Sequence, residues 1–116
     1  MASSGPSPIA CVLGALTPDA QRRERELLEL ARAAVTRSEA TASGYRLHFA
    51  DGEALLAALG ELISLERRCC PFLAFELRSE AEHGAVTLHI GGREGVREFV
   101  GATFLPPGGE PSSSQG

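Results

Sequence analysis

The chain has 116 residues, 43% of them hydrophobic, with a formal net charge of -4. That length supports one hydrophobic core and no second domain. The acidic balance excludes an electrostatic grip on nucleic acid, since Arg22-Arg23-Glu24-Arg25 and Arg67-Arg68 each lie beside an acid, and no stretch nears the ~18 apolar residues of a membrane span.

Residues 1–8 and 106–116 are rich in Pro, Gly and Ser, which predicts disordered termini around a single α+β domain over residues 9–105. The start carries no charged region, and Ile9–Leu16 is short and interrupted by glycine. A secretory signal is therefore not expected, and the expected location is cytoplasmic.

Thr17-Pro18-Asp19 predicts a helix start: a capping hydroxyl, proline at the first helical position, and an acid at the positive end of the dipole. The helix should run to about Ala34 and bury Leu27, Leu28, Ala31 and Ala34, with Gln21 to Glu26 forming wet, ion-paired first turns. Two strands follow, Val35–Ala40 and Tyr45–Ala50. In the second, Tyr45, Leu47 and Phe49 alternate with Arg46 and His48. Thr41 to Gly44 reads as the hairpin turn, with Gly44 free to take a positive φ.

Asp51-Gly52 opens a second helix, Glu53 to Cys69, whose Leu55, Leu56, Leu59, Leu62 and Ile63 make it the most apolar of the three. Pro71 stops that helix and forces Cys70 towards extended geometry. A third strand, Phe72–Ser79, should bury Leu73, Phe75 and Leu77; a fourth, Ala85–Ile90, should bury Val86, Leu88 and Ile90. After Gly91-Gly92, a last helix from Arg93 to Phe104 presents Val96, Phe99, Val100 and Phe104. The order α-ββ-α-ββ-α implies a four-stranded antiparallel sheet with helices on one face.

The chemistry concentrates in Glu66-Arg67-Arg68-Cys69-Cys70-Pro71-Phe72. Helical spacing puts Glu66 one turn before both cysteines, on the stripe of Leu59, Leu62 and Ile63. A carboxylate aimed at an apolar face needs an arginine, a backbone amide or a bound cation to satisfy it. The thiols lie at the negative end of the helix dipole, which disfavours bare thiolate and suits a cation. Adjacent cysteines make a strained disulfide, because their Cα atoms are ~3.8 Å apart and ordinary bridges need at least ~4.4 Å. Two sulfurs favour Hg, Cu(I) or Zn over hard cations, with Cys11 as a third ligand that could pack against the end of helix two, and Glu66 available beside them.

Two other readings compete with metal binding. In one, Cys69 or Cys70 is a redox or nucleophilic thiol, with Glu66 as proton acceptor and Arg67 or Arg68 orienting an anionic substrate. In the other, the cysteines fill space and an interaction module uses the outward face of the sheet. That face should carry His48 and His89, with Arg46, Glu76, Arg78 and Thr87; His83 falls in a turn. No Ser/His/Asp order, phosphate-binding loop or HExxH motif is present.

The Glu66–Phe72 segment, with Phe75-Glu76-Leu77, Gly95-Val96-Arg97-Glu98-Phe99 and the Cys11…Leu16-Thr17 start, resembles a family of small uncharacterised bacterial proteins with a Cys-Cys-Pro-Phe core. The likeness spans Cys11 to Phe104. Members of that family accompany genes for resistance to mercury and other heavy metals. The resemblance implies a metal–thiol role for Cys69 and Cys70, with Cys11 as third candidate.

Overall fold

The computed structural model describes residues 9–12 and 14–106. The disorder expected of residues 1–8 and of 106–116 falls, Pro106 apart, outside the described residues. Helix α1 spans Pro18–Ala34. Thr17 caps it by accepting the Ala20 N–H at 3.1 Å, and Pro18 stands where a missing N–H costs nothing. Strand β1 is Arg37–Ala40 and β2 is Gly44–Phe49; helix α2 is Glu53–Cys69; β3 is Ala74–Ser79, β4 is Val86–Gly91, and helix α3 is Val96–Phe104. The order is α-ββ-α-ββ-α, as the patterning predicts.

The strands form one antiparallel sheet in the order β1-β2-β4-β3. Since β2 and β3 both run antiparallel to β4, they are parallel to each other, and α2 is the crossover between them. Leu47 pairs with Leu88, and Leu77 pairs with Leu88 from the other side, so these residues share a face. On that face Leu47, Phe49, Val86, Leu88 and Ile90 are buried with Leu27, Leu28 and Ala31 of α1, Leu59, Leu62 and Leu65 of α2, and Val96, Val100 and Phe104 of α3. Burial of each such side chain stabilises the fold by roughly 1.5–3 kcal/mol. The opposite face carries Arg46, His48, Thr87 and His89, with exposed Glu76 and Arg78 at the edge.

Several boundaries shift for local reasons. Strand β1 starts at Arg37, because Val35 is the C-cap of α1 and donates to the Arg32 carbonyl. Strand β3 starts at Ala74, because the Leu73 N–H closes a turn onto the Cys70 carbonyl at 3.1 Å. Helix α3 starts at Val96, since Gly95 sits at φ 94, a left-handed conformation that precludes an earlier helical turn. Leu77 is 36% exposed and Phe75 only half-buried. Their strand is the sheet edge, and α3 packs over β2 and β4 instead.

Gly44 does not take the positive φ expected of it; among the described glycines only Gly14 and Gly95 do. Its reason is close approach. A Cβ there would stand 1.9 Å from the Ile90 carbonyl oxygen and 2.6 Å from the Gly91 Cα. Glycine allows β2 to pass β4 at this pair.

Candidate metal centre

Helix α2 ends where Pro71 forces it to. Cys69 is the last helical residue, and Cys70 is the C-cap at φ -127, with its N–H on the Glu66 carbonyl at 2.6 Å. The departure from helical geometry swings the Cys70 sulfur to 3.8 Å from that of Cys69. Helix ends leave carbonyls without intrahelical partners. The Cys69 carbonyl takes its bond from the Val12 N–H at 2.7 Å, and this tethers the segment before α1 across the helix terminus. Cys11 therefore meets Cys70, with 3.1 Å between their sulfurs. All three Sγ atoms lie within 4.8 Å of one another, and all three cysteines are free thiols. This is a group of ligand atoms able to hold a metal ion.

Glu66 lies beneath the sulfurs. It is 1% exposed, and its Oε1 accepts from Cys70 at 3.5 Å and from Cys69 at 3.7 Å. Its Oε2 is buried without a hydrogen-bond partner among the described residues. Among the described residues neither an arginine nor a backbone amide meets that oxygen, and Arg67 and Arg68 are both exposed. An orphaned buried oxygen of this kind costs about 1–3 kcal/mol until something satisfies it. Cys70 is fully buried, Cys69 is buried, and Cys11 is exposed, so the site is graded from a closed floor to an open rim.

The electrostatics follow from that burial. Desolvation, reinforced by the neighbouring carboxylate of Glu24, pushes the Glu66 carboxyl up to about 8. Burial, followed by the charge of Glu66, pushes the Cys69 thiol up to about 11. Burial pushes the Cys70 thiol up as well, helped by the contact with Cys11 and the charge of Glu66. Each group is thus held in its protonated form at neutral pH until a positive charge enters.

No known protein family, curated protein or solved structure matches this chain.

Glu24 was not among the residues singled out from the sequence, which assigned it to a wet first turn. It is half-buried, and it lines a cleft of about 260 Å³ with Gln21, Arg25, Cys11, Val12, Gly14, Leu16 and Cys69. The signal was present: Glu24 stands three and four residues before the buried Leu27 and Leu28, on the inward stripe of α1. Position 66 faces α1 across the same gap, and two carboxyls consequently border one thiol cluster.

The histidines do not join the cluster. His48 Nε2 lies 2.7 Å from Glu39 Oε1, and His89 Nε2 lies 2.7 Å from Thr41 Oγ1. Burial, with Arg46 nearby, lowers the pKa of His89. Both rings are half-buried and already partnered, and His83 is exposed in its turn, 3.6 Å from Asp51. No described helix is long and apolar enough to cross a membrane.

Proposed function

We propose that this protein binds a single thiophilic ion (Hg, Cu(I) or Zn) through Cys11, Cys69 and Cys70, with Glu66 as the carboxylate partner, and holds or hands on that ion without transforming it. One observation carries the reading: three convergent sulfurs above a buried carboxylate oxygen that has no hydrogen-bond partner among the described residues. With metal–sulfur bonds of about 2.3 Å, a tetrahedral ion needs sulfurs about 3.8 Å apart. The sulfurs stand at 3.1 Å, 3.8 Å and no more than 4.8 Å, so adjustments of about 1 Å or less to two pairs would centre an ion.

The alternative, a nucleophilic or redox-catalytic Cys69 or Cys70, requires a thiol poised well below its usual range. Burial and Glu66 push both thiols the other way. A cation reverses that bias by stabilising thiolate and carboxylate together. The resemblance of Glu66–Phe72 to the Cys-Cys-Pro-Phe proteins favours the same reading, and handling of a toxic soft metal in the cytoplasm is the role it suggests. The test is the metal content of protein purified under reducing conditions, with thiols titrated before and after chelation. One ion per chain, and thiols that become reactive only after chelation, support the proposal. Metal-free protein that takes up no added ion contradicts it.

A further inference from the structure

Cys11 and Cys70 are far apart in sequence, yet their sulfurs form the shortest pair in the cluster, 3.1 Å apart against 3.8 Å for Cys69 and Cys70. A disulfide needs about 2.0 Å, so closure demands roughly 1 Å of movement. The neighbours Cys69 and Cys70 cannot bridge without strain, since their Cα atoms are too close. The rim residue lies outside the helices and strands, next to Val12, whose N–H is bonded to the Cys69 carbonyl. Cys11 is also exposed, where a dissolved oxidant reaches it, while Cys70 is 0% exposed.

We propose that Cys11 and Cys70 form a reversible disulfide with a low-molecular-weight disulfide as oxidant, and that this bridge shuts the site to metal; the gating part rests on the metal-binding reading above. The exposed Cys11 thiolate attacks the small disulfide, breaking its S–S bond and releasing one thiolate, which leaves with a proton from solvent. The Cys70 sulfur then attacks Cys11 Sγ, and the Cys70 proton is carried off by the second small thiolate as it leaves. Two protein thiols are oxidised to one disulfide, and one small disulfide is reduced to two thiols. Cys69 remains as a lone sulfur beside Glu66, too few soft donors to retain the ion. Conversely, an ion bound to all three sulfurs occupies the attacking electron pair of Cys11 and slows the reaction.

The experiment treats the full, reduced, chelated chain with oxidised glutathione, alkylates the remaining thiols after unfolding, and maps the linked peptides. The expected product joins Cys11 to Cys70 and leaves Cys69 alkylated; Cys69→Ser still bridges, which controls for misfolding, and Cys11→Ser does not. Zinc affinity of the bridged protein should fall at least tenfold and return on reduction. A Cys69–Cys70 or Cys11–Cys69 link, or a stable glutathione adduct at Cys11, overturns the bridge. Reduced protein that binds zinc yet never bridges defeats this inference alone. A bridge in a protein whose reduced form takes up neither zinc nor mercury defeats the gating and the metal-binding reading together.

Discussion

Glu66→Gln should abolish a specific pH dependence of stability in the metal-free protein. Burial and Glu24 raise the Glu66 carboxyl from 4.5 to about 8 in the folded chain. A carboxyl with a raised folded pKa contributes stability that is fully present below its unfolded pKa and is lost as pH rises through the folded one. The loss therefore runs from about pH 4.5 to about pH 8. At about 1.4 kcal/mol per pH unit it totals up to about 5 kcal/mol. Glutamine keeps the shape and cannot ionise, so its own fixed cost is independent of pH. Urea unfolding of reduced, chelated wild type and variant, at intervals between about pH 5 and about pH 8, gives the difference directly. The variant should gain on wild type steadily as pH rises, overtaking it by several kcal/mol near the top of the range. Comparison within the pair cancels the surface carboxylates Glu39, Glu61 and Glu80, whose pKa values are lowered and whose contributions fade at acid pH instead. Glu24→Gln should remove part of the same slope. Two curves that stay parallel would refute the claim that Glu66 is held neutral by its surroundings.

Four further outcomes follow from the same geometry. Cys69→Ser or Cys70→Ser should lose most affinity for Hg(II), Cu(I) or Zn(II) and Cys11→Ser an intermediate amount, while Glu66→Gln should weaken zinc more than mercury, because carboxylate matters less to the softer ion; competition titration against a chromophoric chelator reads all three. Metal uptake at about pH 7 should release more than one proton per ion, detectable as a buffer-dependent heat, because protonated thiols and Glu66 must all give way; uptake without proton release contradicts the protonation states assigned here. At neutral pH Cys11 should alkylate well before Cys69 and Cys70, which mass mapping of a timed reaction would reveal; rapid modification of Cys69 would instead favour the nucleophilic reading. Gly44→Ala should destabilise the fold by about 3 kcal/mol or more, since its Cβ would meet the Ile90 carbonyl, and an unchanged denaturation midpoint would refute the close pairing of β2 with β4 there.

The helix faces and strand alternation were legible because burial follows local periodicity: Leu27, Leu28 and Ala31 on α1, and Val86, Leu88 and Ile90 on β4, lie where spacing alone puts them. The union of Glu66, Cys69 and Cys70 was legible for the same reason, with Pro71 marking the helix end. What could not be read depended on order and long-range approach. Leu77 alternates like a core residue, yet only the strand order makes its strand an edge and exposes it. Gly44 looks like a turn glycine until the facing carbonyl of Ile90 is known. Glu24 is one acid in a polar run, and its role arises only when α1 packs on α2 opposite Glu66. Cys11 could be named as a third sulfur, but it arrives beside Cys70 with the long-range backbone bond from Val12 to Cys69, which no motif encodes.

X-ray absorption of the reduced, zinc-loaded chain tests the central claim most directly, because it counts the atoms around the ion. The expected shell is three sulfurs at about 2.3 Å with one oxygen scatterer, reduced to two sulfurs in Cys11→Ser. A shell of nitrogen and oxygen alone, or a sulfur count that Cys70→Ser leaves unchanged, would contradict it.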